Sequence, residues 1–317
     1  MATARVARKV ATAAAVGSGG IGLVSGALWG VMKTEATLAR KTIGDAMGKA
    51  PSGDGVYGRD LPGEPIAFAM LGDSAAAGYG VHDGLDTPAA LIGEGLSTMT
   101  GCPVHVTGHA FVGAQTTDLN GQIDAAHRYE PAIAAIVIGS NDVTHSVLPP
   151  TSIRALRNAI RRLREADCEV VVGTCPDLGT VEPLHQPLRS FVRLWSRYLA
   201  AQQTIAAVEE GARSVSLADL LARDFATAPD VFFGDDRFHP SSTGYVSMVT
   251  ALLPSIARAC GVSDDEPDEY TPGAVLPVSF AAKRAAAKSG TEVSGATVDG
   301  TKHGPRGRWA AVRRLRR

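Results

Sequence analysis

Between Pro65 and Cys260 the apolar positions fall into two patterns that alternate along the chain. Short, nearly unbroken apolar runs, IAFAML (66–71), PVHVTGHA (103–110), AIAAIVIG (132–139), EVVVGTC (169–175) and RSVSLADL (213–220), have the length and β-branched content of strands. Between them lie stretches whose apolar residues recur three and four apart, notably SIRALRNAIRRLREA (152–166) and PLRSFVRLWSRYLAAQQTIAAVEE (187–210). A last one, SSTGYVSMVTALLPSIARA (241–259), starts on a capping serine, Ser241 or Ser242. Strands without a polar face must be covered on both sides. The pattern therefore predicts an α/β fold: a three-layer α/β/α, flavodoxin-like sandwich of about five parallel strands, with its reactive loops at the carboxyl ends of the strands.

The flanks read differently. Arg5, Arg8 and Lys9 precede 23 residues, Val10 to Met32, without a charge. At about 1.5 Å per residue such a helix spans a bilayer, so residues 1–32 are expected to be a signal anchor, or a signal peptide cleaved near Ser25-Gly26-Ala27. The catalytic domain is then expected outside the cytoplasm, in the cell envelope, although Lys33, Arg40 and Lys41 weaken the charge asymmetry. Gly22, Gly26 and Gly30 share one helix face, a pattern that would let two such helices pair as a weak dimer. Residues 33–63 read as a short polar helix followed by a Gly- and Pro-rich linker, 64–262 as the folded domain, and 263–317 as a largely disordered tail, acidic and then basic, with room for one short helix.

Composition narrows the function. The 317 residues are 45% apolar, ample for a packed core, and carry a formal net charge of -1, which argues against nucleic acid as a partner. The charge is uneven: from Ala281 to the end, ten Lys or Arg face only Glu292 and Asp299. The four cysteines, Cys102, Cys168, Cys175 and Cys260, lack zinc-site spacing. Cys168 and Cys175 flank one strand, about 23 Å apart, too far to bridge; Cys102 with Cys260 is a conceivable pair in an exported domain, and free buried thiols are the default.

Candidate chemistry clusters at strand ends. The first strand breaks at Gly72 into Asp73-Ser74 and the small segment AAAGYG. A serine there is either a plain helix N-cap or a nucleophile whose own N–H forms part of an oxyanion hole. Gly113 follows the second strand, Gly139-Ser140-Asn141-Asp142 ends the third, and Asp236-Arg237-Phe238-His239 precedes the last helix. Each alone is ordinary turn chemistry. Together they supply a nucleophile, a base, an orienting carboxylate and oxyanion donors, the parts an acyl-transfer site needs. His109 and His145 lie near these blocks and read as bystanders, and Asp73 as a brace for the turn.

In these four blocks the chain resembles the SGNH hydrolases, also called GDSL esterases or lipases, over about residues 64 to 260. The resemblance implies Ser74 as nucleophile, His239 as general base and acid, Asp236 as the residue that orients it, and the Ser74 and Gly113 N–H groups with the Asn141 amide as oxyanion hole. It implies a serine esterase that works through an acyl-enzyme without metal or organic cofactor, on a small-molecule, lipid or glycan ester. One departure stands out: Ala75 occupies the place of the family's leucine. The small side chains there, and the lack of an apolar lid, favour short acyl groups. Carbohydrate deacetylase, thioesterase and lysophospholipase are the alternatives within the fold, and a non-catalytic envelope scaffold is the alternative outside catalysis.

Overall fold

A computed structural model of the chain describes residues 49–181, 184–217, 228–262 and 278–293, the last span without 287 and 289. The apolar segment 10–32, the expected polar helix after it and the basic end of the tail lie outside the described residues. Within them, no helix is long and apolar enough to cross a membrane.

Seven described strands form one sheet. In chain order they are β1 (Gly55–Tyr57), β2 (Ile66–Gly72), β3 (Val104–Gly108), β4 (Ile133–Val137), β5 (Glu169–Gly173), β6 (Arg213–Val215) and β7 (Glu292–Val293). Their order across the sheet is β1-β3-β2-β4-β5-β6-β7. The five inner strands are parallel, as the sequence predicts, while β1 and β7 add antiparallel at the two edges. The helices are α1 (Ser74–Ala77), α2 (Pro88–Thr100), α3 (Leu119–Ala126), α4 (Ser140–Thr144), α5 (Pro149–Glu165), α6 (Leu188–Glu209), α7 (Pro229–Phe232), α8 (Ser242–Ala259) and α9 (Val278–Ala285).

Alternate residues of each inner strand face opposite layers, which is why the strands read as continuous apolar runs. Phe68, Met70, Val104, Val106, Ala135 and Val171 pack on Ile92 and Leu96 of α2 and on Tyr245, Met248 and Leu252 of α8. Ala69, Leu71, Ala134, Ile136, Val170 and Val172 pack on the other side, against α3, α5 and the end of α6.

Both edge strands depart from the expected boundaries. Segment 33–63 reads as helix and linker, yet Val56 and Tyr57 pair with His105 and Val104 as β1. A three-residue strand among glycines and prolines has no periodicity to betray it. The tail contributes the expected short helix, α9, and also β7, where Glu292 accepts hydrogen bonds from Arg213 (2.8 Å) and Arg258 (3.1 Å). All four cysteines are free thiols, Cys102 and Cys260 included. Burial pushes the Cys168 and Cys260 thiols up to about 12.

Strand β2 lies between β3, which follows it in sequence, and β4, which the chain reaches by crossing back. The carboxyl end of β2 is thus the point where the winding reverses, and loops from β2, β3 and β4 meet there.

Candidate active site

The site begins with the exit of β2. Gly72 has φ 139°, and a Cβ there would lie 1.9 Å from the Val137 carbonyl oxygen of β4, so no other residue fits. The Gln122 side chain of α3 holds both polar groups of Gly72, accepting from its N–H at 2.7 Å and donating to its carbonyl at 2.8 Å. Asp73 then leaves the strand and caps α1, its Oδ1 accepting the Ala75 N–H at 3.0 Å. Ser74 is thereby the first residue of a four-residue helix that Gly78 ends in the left-handed conformation.

The loop between α7 and α8 delivers the imidazole. Asp236 accepts the Phe238 and His239 N–H groups on Oδ1, at 3.0 and 2.9 Å, while Arg237 takes a left-handed φ of 51° to close the turn. The other carboxylate oxygen lies 2.6 Å from His239 Nδ1, and His239 Nε2 lies 2.9 Å from Ser74 Oγ. A carboxylate can only accept, so Nδ1 carries the proton and Nε2 is free to take the hydrogen of Ser74. Burial by itself pushes the Asp236 pKa up, but the bonds from the His239 ring and from the two N–H groups outweigh it and hold the carboxyl below the ordinary 3.8. Asp236 is thus an anion at neutral pH. The Tyr79 ring meets the imidazole edge-on at 4.7 Å, and the Tyr79 carbonyl is held by the Tyr245 hydroxyl at 2.6 Å.

The remaining two blocks meet each other. Gly113 has φ 87°, and the Asn141 amide donates to the carbonyl of the next residue, Ala114, at 3.0 Å. Asp142, fully buried, accepts from the Thr116 N–H and hydroxyl at 3.0 and 2.9 Å and from Ser152 of α5 at 2.5 Å. The loop after β3 is in this way tied to the helix after β4. Behind them, the Gln203 side chain clamps the Cys175 N–H and the Ile138 carbonyl at 2.7 and 2.8 Å, fixing the ends of β4 and β5.

His109 and His145 have partners of their own. His109 contacts the Thr107 hydroxyl at 3.1 Å and packs near Tyr129, and exposed His145 contacts the Asn141 carbonyl at 3.0 Å. Among the described residues no group of three or more His, Cys, Asp or Glu side chains could hold a metal ion. Gln122, Gln203, Thr116, Ser152 and Tyr79 are supporting residues that sequence reading did not single out. Their bonds join residues 26 to 65 positions apart in several cases, a distance no local pattern spans.

Two hollows adjoin the site. A recess of about 40 Å³ is lined by Ser74, Ala75, Val137, Leu178, Leu217 and Met248 together with His239. A larger cavity of about 410 Å³ lies between the arm 49–54 and Ala76, Ala77, Ala110, Phe111 and Val112. The three alanines are thus divided: Ala75 lines the recess, and Ala76 and Ala77 line the cavity.

Residues 70–246, which run from the end of β2 into α8 and include every block described above, match the GDSL-like Lipase/Acylhydrolase family. The chain belongs to this family. Across 250 residues it is 35% identical to the GDSL-like esterase Rv1075c of Mycobacterium tuberculosis, covering 75% of this chain and 79% of that one. Among solved structures it is similar to the psychrotrophic esterase EstA of a Pseudoalteromonas species (16% identity, TM-score 0.48, 62% of this chain and 99% of that one). It is likewise similar to the acetylxylan esterase Axe2 of Geobacillus stearothermophilus (18% identity, TM-score 0.45, 66% and 96%). The GDSL-like protein is accordingly a carboxylic ester hydrolase with an ester as its small-molecule substrate.

Proposed function

We propose that the protein hydrolyses short-chain carboxylic esters through an acyl-enzyme on Ser74. The observation that carries this reading is the unbroken line Asp236 Oδ2–His239 Nδ1 (2.6 Å) and His239 Nε2–Ser74 Oγ (2.9 Å). Ser74 Oγ adds to the ester carbonyl carbon as its proton passes to His239 Nε2. The resulting imidazolium is stabilised by the Asp236 anion. The negative oxygen of the tetrahedral adduct is received by the N–H groups of Ser74 and Gly113 and by the Asn141 amide. Collapse of the adduct breaks the ester C–O bond, and the leaving alkoxide takes the proton from Nε2. Water then adds to the acyl-enzyme with His239 again as base, which releases the acid and restores Ser74.

The small recess supports the short-chain assignment. At about 40 Å³ it is much the smaller of the two hollows beside Ser74, which favours a short acyl group over a long chain. Hydrolysis of p-nitrophenyl acetate by the full chain and by Ser74→Ala tests the assignment. Loss of at least about a thousandfold in the variant is expected, and equal rates would overturn it.

We further propose that residues 10–32 hold the enzyme at a membrane with the hydrolase domain outside the cytoplasm, on the strength of their uncharged 23-residue sequence. Deletion of residues 1–32 is expected to move the protein to the soluble fraction. Retention in the membrane fraction would overturn the proposal.

A further inference from the structure

The arm before β1 is seated more closely than a plain linker requires. The Gly108 N–H donates to Asp54 Oδ1 at 2.7 Å, the Tyr57 hydroxyl donates to the Gly53 carbonyl at 2.7 Å, and the Asp54 N–H donates to Ser52 Oγ at 3.2 Å. Two glycines make the fit possible. A Cβ on Gly53 would lie 2.2 Å from Thr87 Oγ1, and one on Gly84 would lie 2.1 Å from the Ser52 carbonyl oxygen. The arm is thus fitted against the end of β3 and the approach to α2, although it lies ahead of the residues 70–246 that match the family.

What the arm encloses lies beside the nucleophile. The cavity of about 410 Å³ has Ala76 and Ala77 on one wall, Ala110, Phe111 and Val112 on a second, and the arm on a third. Ser74 and Ala77 are three apart on one helix, which places their Cβ atoms about 5–6 Å from each other on a shared face. Val112 directly precedes Gly113. The cavity therefore lies between the two elements whose N–H groups are the proposed oxyanion donors. An ester has two limbs that leave its carbonyl carbon in different directions. With the acyl limb in the small recess, the larger cavity is the space for the alcohol limb. Phe111, 47% exposed, offers that limb an apolar face, while the arm brings Ser52 and Asp54. The charges of Lys49 and Asp54, both in the arm's wall, offset each other, so the wall suits a neutral hydrogen-bonding group better than an ion. A carboxylate that accepts one N–H on Oδ1 keeps acceptor capacity for a hydroxyl.

We propose that the arm 49–54 is a specificity-determining wall of the active site, and that the cavity it encloses binds the alcohol portion of the ester. The alcohol it fits is bulky and neutral, with an apolar body against Ala77 and Phe111 and a hydroxyl directed to Asp54. The proposal rests on the assignment of Ser74 as nucleophile and of the recess as the seat of the acyl group. Discrimination between alcohols then belongs to residues that precede the family match, and discrimination between acyl groups to the surroundings of Ala75.

Acetates of different alcohols isolate this limb, because the acyl group is common to all. Acid release by the full chain is followed with ethyl acetate, cyclohexylmethyl acetate and the ring-hydroxymethyl counterpart of the latter. The parent is expected to prefer the hydroxymethyl ester to ethyl acetate by about tenfold or more in kcat/KM. Gly53→Ala, which pushes the arm off Thr87, and Ala77→Phe, which fills the cavity from the opposite wall, should each cut that ratio about tenfold. Asp54→Asn tests the arm without unseating it, since its amide oxygen still accepts from Gly108. It should bring the two cyclohexylmethyl esters within about twofold of each other, from about fivefold apart in the parent. Unchanged ratios in all three variants, in a chain whose hydrolysis Ser74→Ala abolishes, would overturn the proposal and leave the esterase reading standing. A changed butyrate-to-acetate ratio with an unchanged alcohol ratio would overturn it too, by making the cavity an acyl site. Equal rates in Ser74→Ala and the parent would instead overturn the reading on which it rests.

Discussion

Asp142 holds Thr116 twice, by its main-chain N–H at 3.0 Å and by its hydroxyl at 2.9 Å. Thr116 lies three residues beyond Gly113, and Asp142 is the neighbour of Asn141. One buried carboxylate thus sets the spacing between the loop that carries Gly113 and the helix that carries Asn141, and Ser152 of α5 fixes the carboxylate itself. On the proposed assignment of Gly113 and Asn141 as oxyanion donors, the precision of the hole depends on a residue that touches no substrate.

Asp142→Ala is expected to lower kcat by about tenfold or more while leaving the Ser74–His239 pair formed. Its removal strands the buried Thr116 N–H and the Ser152 hydroxyl, at a cost of about 1–3 kcal/mol for each group left unpaired. Thr116→Val, which deletes only the hydroxyl bond, should cost about 1 kcal/mol and move kcat less. Denaturant unfolding with ester kinetics on both variants checks the order. Equal kinetic effects would show that the loop does not depend on the carboxylate.

Asn141→Ala should reduce kcat by about 10²–10³ with little change in KM if its amide acts, as proposed, on charge that develops in the transition state. The pH at which activity is lost should stay where it is in the parent, because Asn141 is not a titrating partner of His239. The same variant also loses the bond to the Ala114 carbonyl, so a stability measurement should accompany the kinetics.

Asp236 gives a prediction in pH. Its folded-state value lies below the ordinary 3.8, so the stability it contributes is complete above 3.8 and fades as the pH falls through the lower, folded value. The difference in Tm between the parent and Asp236→Asn should be constant from about pH 5 to 8 and shrink below about pH 3.8. Activity should fall about 10⁴-fold at neutral pH, as expected when the orienting anion of a Ser-His-Asp triad is made neutral. Thermal melts across the range and initial rates at pH 7 test both halves.

The inner sheet and the position of the site were legible because their signals are local. Strands buried on both faces write continuous apolar runs, and Gly72, Asp73-Ser74, Gly139 to Asp142 and Asp236 to His239 each sit within a few residues of a strand end or helix start. What stayed hidden is carried by polar side chains whose partners are remote in sequence. Gln122 on Gly72 and Gln203 on Ile138 look like solvent-facing glutamines of ordinary amphipathic helices until the fold turns them inward. Strand β1 was hidden for a different reason: Val56 and Tyr57 suit a strand, but three residues among glycines and prolines are too short to show a pattern, and their pairing comes from β3.

Ala75 offers the sharpest handle on selectivity. It packs partly buried against the cluster that includes Val137, Leu217 and Met248, and it lines the recess beside Ser74. Ala75→Leu restores the family's side chain and places three further carbons next to a hollow of about 40 Å³. If the recess is where the acyl group sits, the variant should lose butyrate hydrolysis more than acetate hydrolysis, shifting their kcat/KM ratio by about 10-fold, with about 1–3 kcal/mol of stability lost to overpacking. If acyl groups instead extend toward the larger cavity along Ala76 and Ala77, the ratio should hold and Ala77→Phe should change it. A series of p-nitrophenyl esters from acetyl to octanoyl on both variants distinguishes the two paths. An unchanged series in Ala75→Leu would remove the recess as the acyl site.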